Sequence, residues 1–142
     1  MGNFREVTAF ESRVRYVEKT VDHSVLTASM TEQVDFDAAL PADAFVLGGE
    51  LNVTEAFTSG GGAFSADLGY DTTDTDGIVD GAAANLETIA HVGAPRGVLV
   101  GTRAGGELPA ISFTSDVNLS TATAGIVTAR LYFIQLDFLK PD

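Results

Sequence analysis

The sequence predicts an all-β fold, and three observations lead to that prediction. Short apolar runs alternate with clusters of Gly, Pro, Asp and Asn, and no long apolar period of 3.6 residues is present. About seven to nine short strands are indicated, with turn signals every ~8–12 residues, as is typical of antiparallel sandwiches and barrels. The 142 residues, 45% of them hydrophobic, suffice for one domain with a full core.

The first 20 residues are predicted to form an extended N-terminal arm, and residues 21–142 to form the sandwich domain. Apolar residues recur at every third position from Phe4 to Phe10, which fits a short helix or an arm that docks on a neighbour. Aromatic side chains exposed on an arm favour a protein partner, whereas packing onto the chain's own sandwich is the equal alternative. The partner interface is predicted to consist of arm residues, namely Phe4, Phe10, Arg13 and Tyr16.

The first strands follow in chain order. Residues 14–16 and 25–30 add one or two strands, and residues 34–36 form the next. Residues 45–53 form another strand, in which the Gly48-Gly49 pair predicts a bulge or a sharp bend.

Residues 64–70 alternate apolar with small or polar side chains, which predicts a half-buried strand. Residues 86–91 fit a helical turn or a strand equally well. Two short runs, 98–100 and 111–113, flank a turn at residues 103–106. The core is predicted to contain the Phe residues of the strand patterns, Phe36, Phe45, Phe64, Phe113 and Phe133.

The longest element is the apolar, β-branched and aromatic segment from Ile126 to Leu139. It predicts a central strand that is buried on both faces. Arg130 is its only cation and is expected at a strand end or an interface, because a lone buried guanidinium is costly.

The net charge of -12 lies in one block of the chain. Residues 20–95 contain 13 acidic residues and no Lys or Arg, while the remainder is nearly neutral. This excludes a protein that wraps duplex nucleic acid, which needs a basic face. The acids alternate with apolar residues, so they are expected on turns and outward strand positions rather than on a disordered tail.

The Asp-rich turn at residues 71–80 is the densest polar cluster. Calcium prefers oxygen ligands, and the carboxylates of Asp74, Asp76 and Asp80 are its candidate ligands here. The EF-hand pattern fails, because Gly77 comes too early and Asn85 stands where the pattern requires Glu. The alternative is a solvated β-turn, since Asp and Gly are common turn residues.

No motif predicts catalysis or a cofactor, so the chain is not expected to be an enzyme. His23 and His91 are the only histidines, and no Gly-x-Ser-x-Gly elbow occurs. The absence of Cys excludes disulfides and thiolate chemistry, and no Lys follows the Gly-rich loop at residues 59–62. No signal-peptide pattern and no apolar stretch of membrane-spanning length occur, so no membrane partner is expected.

The order of these features resembles that of the head decoration (cement) proteins of tailed bacteriophages. The similar segments are a Leu-Pro-Ala-Asp-Ala turn at residues 40–44, a strand closing on residues 54–57 before a Gly-rich loop, an Asp-Thr-Asp-Gly turn, and the closing strand at residues 123–133. The resemblance covers roughly residues 30–135.

This resemblance implies a jelly-roll-like subunit, often trimeric, that stabilises the outside of a capsid. The major capsid protein would be the partner, the arm would reach the capsid or a neighbouring copy, and the protein would be made in the host cytoplasm. Two alternatives remain open. One is a tail, collar or fibre-base β-module of a phage, and the other is a β-sandwich that binds a small ligand or carbohydrate, with calcium assisting through the Asp-rich turn.

Overall fold

The computed structural model describes residues 14–59, 61–71, 73–80, 85–93 and 96–136. Within these ranges the chain forms seven β-strands. Their bounds are β1 Arg15–Asp22, β2 Thr31–Asp35, β3 Ala44–Thr58, β4 Phe64–Tyr70, β5 Ala90–Val92, β6 Pro109–Ser115 and β7 Ala124–Gln135. Two 3-10 helices, His23–Val25 and Leu119–Thr121, follow β1 and β6. No helix of the described ranges is long and apolar enough to cross a membrane.

The strands form two antiparallel sheets packed face to face. The four-stranded sheet has the order β1-β7-β3-β5, and the three-stranded sheet has the order β2-β6-β4. Val79 forms an isolated bridge with Leu68 of β4, at the position where an eighth strand would lie. Each sheet alternates strands from the two halves of the chain, which is the strand order of a jelly roll. The predicted fold class, an antiparallel β-sandwich of jelly-roll type, is therefore confirmed.

The core lies between the sheets and is built by alternation along the strands. Phe57 of β3 lies 6.2 Å, centroid to centroid, from both Phe64 of β4 and Phe113 of β6, so one aromatic cluster joins the two sheets. Four of the five Phe residues predicted for the core are buried, whereas Phe45 is only half-buried. Phe57 is an additional core residue, because β3 continues past the predicted end at residue 53 to Thr58.

The predicted bulge in β3 is confirmed. Val46 pairs with Phe133 and Gly48 with Tyr132, so Leu47 is an extra residue that has no counterpart on β7. Such an insertion locally re-aims a strand and its side chains. Here it places Leu47 on the outer side of the sheet, 38% exposed.

The predicted boundary between arm and sandwich needs correction. β1 begins at Arg15 and pairs with β7 over its whole length, from Arg15 opposite Phe133 to Asp22 opposite Ile126. Residues 15–20 therefore belong to the sandwich. The remainder of the predicted arm, residues 1–13, lies outside the described residues.

The strand predicted at residues 25–30 and the apolar run at residues 98–100 are not strands in the structure. His23–Val25 is a 3-10 helix followed by bends, and residues 98–100 form a turn in which Val98 is 79% exposed. The prediction that the last strand is buried on both faces is also wrong. β7 is central, between β1 and β3, but only its inner face is buried.

Candidate partner interface

The outer face of the four-stranded sheet carries an aromatic and charged cluster at the junction of β1 and β7. Register pairs Tyr16 with Tyr132 and Glu18 with Arg130. All four side chains point outward, because the alternate positions of β7 are buried in the core. We call these four residues, together with Glu50 of β3 opposite Arg130, the outer-face cluster.

Hydrogen bonds and ring contacts hold this cluster together. Nε of Arg130 donates to Oε2 of Glu18 at 2.9 Å, and the hydroxyl of Tyr132 donates to Oε1 of Glu50 at 3.0 Å. Nη1 of Arg130 lies 3.8 Å from the same Glu50 oxygen. One guanidinium thus bridges carboxylates of the strands on either side of β7.

The two Tyr rings of the cluster lie beside that guanidinium. Cζ of Arg130 lies 5.3 Å from the ring centroid of Tyr16, within cation–π range. The two Tyr rings are 5.9 Å apart with a tilt of 53°. Tyr16 is nevertheless 54% exposed, so its ring is held in place and still available to a partner.

The electrostatics of the cluster keep Arg130 charged. The hydrogen bond to Glu18, followed by the interaction with Tyr132, raises the pKa of the Arg130 guanidinium. Because the ion pairs are exposed, they contribute little to stability, and their effect is mainly to orient side chains.

A shallow depression adjoins the cluster where β3 bulges. Its lining combines an aromatic ring, an Arg and glycines that leave the backbone open. The lining residues are Leu47, Gly48, Gly49, Glu50, Gly93, Arg96 and Tyr132. The bulge and the short β5, which pairs only with residues 51–53, leave this part of the β3 edge accessible.

Of the residues predicted for the partner interface, the structure places Tyr16 in the outer-face cluster. Phe4, Phe10 and Arg13 lie outside the described residues. Arg130 was expected at a strand end or an interface, and it occupies the middle of β7 on the exposed face. Tyr132 was not predicted from the sequence as an interface residue. It lies two residues after Arg130, and residues two apart in a strand point to the same face of the sheet.

The Asp-rich turn folds over the outer side of β4. The backbone N–H of Tyr70 donates to the Asp74 carbonyl at 2.9 Å, and that of Gly77 donates to the same oxygen at 3.4 Å. Gly69 permits this packing, because a Cβ at that position would overlap the backbone of Asp74 and Thr75. The turn is therefore part of the fold.

The turn does not gather a set of metal ligands. Among the described residues, no group of three or more His, Asp or Glu side chains is placed to hold a metal ion, and Asp74, Asp76 and Asp80 form no such set. A hydrogen bond with the Asp76 carboxyl group is the main cause of a raised pKa at Asp74. The carboxylates nearest the histidines belong to other residues: Nδ1 of His23 lies 3.3 Å from Oδ1 of Asp22, and Nδ1 of His91 lies 4.0 Å from Oε2 of Glu50.

Comparison with solved structures finds the same architecture in a phage shell. A chain of the capsid asymmetric unit of cyanophage Pam1 has a TM-score of 0.60 and 19% identity, over 86% of this chain and 84% of that chain. A chain of the Ralstonia phage GP4 capsid has a TM-score of 0.49 and 11% identity, over 85% and 84%. A chain of the disulfide-linked pili that form Bacillus endospore appendages has a TM-score of 0.43 and 10% identity, over 87% and 89%. No protein-family model and no curated protein sequence matches the chain.

Fold and surface together define the class of protein. At 19% identity, the similarity to the Pam1 chain establishes a shared jelly-roll fold over most of both chains. The surface adds an aromatic and Arg-containing face, a composition typical of protein–protein interfaces. The chain is a jelly-roll β-sandwich with a candidate interface on its four-stranded sheet.

Proposed function

We propose that the chain is a structural protein of a phage virion, and more specifically a decoration (cement) protein. In this role it binds the outer surface of the capsid, contacts the major capsid protein and stabilises the shell lattice. The observation that supports this proposal is the jelly-roll fold shared with a chain of the Pam1 capsid over 86% of the present chain. The cement-type sequence features around residues 40–44 and 123–133 point to the same role.

The proposal includes self-association, with a trimer favoured. The four-stranded sheet ends at β1 and β5 and the three-stranded sheet ends at β2, and an exposed sheet edge is a liability unless something covers it. Neighbouring copies around a closed symmetry axis would cover such edges. A passive stabiliser needs no catalytic group, so the proposal assigns the protein no enzymatic activity.

The test is cryo-electron microscopy of particles from the encoding phage, prepared with the gene intact and with the gene deleted. We expect jelly-roll density on the outer capsid surface only when the gene is intact. We also expect the deletion particles to release their genome at a lower temperature, because the shell has lost native-state contacts.

The position of the density separates this proposal from its alternative. Density at the tail, collar or fibre base would replace the decoration role with that of a tail module. If purified wild-type particles lack the protein, no virion role survives.

A further inference from the structure

The two outer faces of the sandwich differ in chemistry. On the three-stranded sheet the outward side chains are hydroxyls, an amide and carboxylates, and β2, β4 and β6 contain no Lys or Arg. The outward residues of that face are Thr31, Gln33, Asp35, Ser65, Asp67, Ser112 and Thr114. Ser and Asp are depleted in protein interfaces, so this face has the composition of a solvated surface.

The outer face of the four-stranded sheet also carries carboxylates and hydroxyls, but it adds aromatic rings, a Leu side chain and an Arg. Tyr16 and Leu47 are 54% and 38% exposed, with Tyr132 and Arg130 beside them. Tyr and Arg are the residues that most often dominate binding energy at interfaces. The hydrogen bonds of Tyr132 and Arg130 already fix their side chains, so docking would cost little conformational entropy.

Arg96 carries a positive charge that an anionic group of a partner could neutralise. It is exposed on the rim of the depression beside Tyr132. Within the described part of the chain, no carboxylate lies within ion-pair distance of Arg96, although the protein carries a net charge of -12. Gly48 in the lining faces open space, which leaves room for a side chain to approach the depression.

We propose that the outer face of the four-stranded sheet at Tyr16, Leu47 and Tyr132, together with Arg96 on the rim of the adjoining depression, is the surface that docks on the phage shell. The shell protein contributes an Asp or Glu side chain to Arg96 and an apolar side chain beside the two Tyr rings. This inference rests on the proposed function and adds to it the orientation of the body, with the three-stranded sheet facing solvent.

The test measures binding of purified variants to particles that lack the protein, by co-sedimentation. Arg96→Gln removes the charge, and its matched control is Gln33→Glu, which changes the net charge equally on the opposite face. Tyr16→Thr removes the exposed ring but keeps a good strand residue, and its control is Val25→Thr, at a site 57% exposed outside the face. Thermal melts establish that each variant is folded.

We expect Arg96→Gln and Tyr16→Thr each to weaken binding about tenfold or more, with both controls within about twofold of wild type. If Tyr16→Thr does not fold, the comparison of Arg96→Gln with Gln33→Glu still tests the assigned face, because Arg96 is exposed. If Arg96→Gln and Tyr16→Thr both bind the particles as tightly as wild type, the assigned face is wrong. The same conclusion follows if only Gln33→Glu loses binding. In either case the decoration role stands. Wild-type protein that does not bind at all overturns the decoration role, and this inference with it.

Discussion

At Gly125 the last strand passes directly beneath the ring of Phe57. A Cβ at this position would overlap the ring carbons, and the backbone φ of +139° lies in a region that side-chain-bearing residues rarely adopt. Phe57 is 1% exposed and contacts Phe64 and Phe113, so the ring has little room to move. Gly125 thus sets the spacing of the aromatic core.

We expect Gly125→Ala to lower the free energy of unfolding by about 2–4 kcal/mol, because overpacking adds to backbone strain. Gly101→Ala is the control, since Gly101 also has a positive φ, +87°, but open space around it. The control should lose about 1 kcal/mol, from strain alone. Urea unfolding measures both values, and equal losses would show that Phe57 adapts to the added methyl group.

The carboxyl groups of Asp74 and Asp76 interact at the Asp-rich turn. Their hydrogen bond raises the pKa of Asp74 above the ordinary 3.8. A raised pKa in the folded state stabilises the fold at low pH, where Asp74 is protonated. That contribution is lost as the pH rises through the raised value, after which the two carboxylates repel.

We therefore expect Asp76→Asn to raise the melting temperature near pH 7 by about 1 °C, since it removes an exposed like-charge pair. At lower pH the gain should shrink, because Asp74, whose pKa is raised, then carries a proton and no longer repels Asp76. Thermal melts between about pH 3 and pH 7 are the measurement. A gain that is the same at both pH values would mean that Asp76 does not raise the pKa of Asp74.

At the scale of single elements, β1 shows how tertiary pairing overrides local composition. Its sequence is mostly charged and polar, so residues 15–20 were predicted to belong to the arm, with only a short strand indicated at residues 14–16. β7 supplies a pairing partner for every residue of β1, and Val21 is 1% exposed in the core. The alternation of Val17 and Val21 with polar residues only weakly predicts a strand. The strand forms because β7 provides hydrogen-bonding partners along its whole length.

The membership of β1 in the sandwich decides how far the N-terminus can be shortened without loss of stability. Deleting residues 1–13 should leave a cooperative thermal transition, whereas deleting residues 1–20 should remove most of β1, expose the edge of β7 and lower the melting temperature by about 10 °C or more. Circular dichroism melts of the two truncations test this difference. If the longer deletion melts like the shorter one, β1 does not stabilise the sandwich.

β3 and β7 show which features of a strand can be predicted from its hydrophobic pattern and its glycines. The Gly48-Gly49 pair indicated the bulge because glycine inside a strand pattern is a local signal. The apolar run of β7 correctly indicated a central strand, but not that one face is exposed. Tyr132 and Arg130 point outward from β7. They are partly buried because Tyr16 of β1 and Glu50 of β3 contact them.

At the scale of the whole molecule, charge opposes compaction. The chain carries a net charge of -12, and the described ion pairs that involve Lys or Arg are confined to Lys19–Asp37 and the contacts of Arg130. Repulsion among the acids therefore outweighs the attraction that salt would screen.

Raising NaCl from about 0.01 M to about 0.5 M should accordingly increase the melting temperature by about 2–4 °C. Differential scanning calorimetry at constant pH measures the change. A sodium sulfate series would confound the result by preferential exclusion, so chloride is the appropriate salt. A fall in melting temperature would show that ion pairs matter more than net charge.

The sequence by itself determined the fold class, four of the five predicted core Phe residues, the bulge and the surface position of the acids, none of which is buried among the described residues. These features follow from local patterns, namely period-two alternation, glycine in a strand and the solvation of carboxylates. The tertiary structure alone decided the strand order, the membership of β1 and the outer-face cluster. Glu18 and Arg130 are 112 residues apart in the chain, so their contact exists only once β1 and β7 pair in register. Local composition does not encode register between distant strands, and the candidate interface depends on that register.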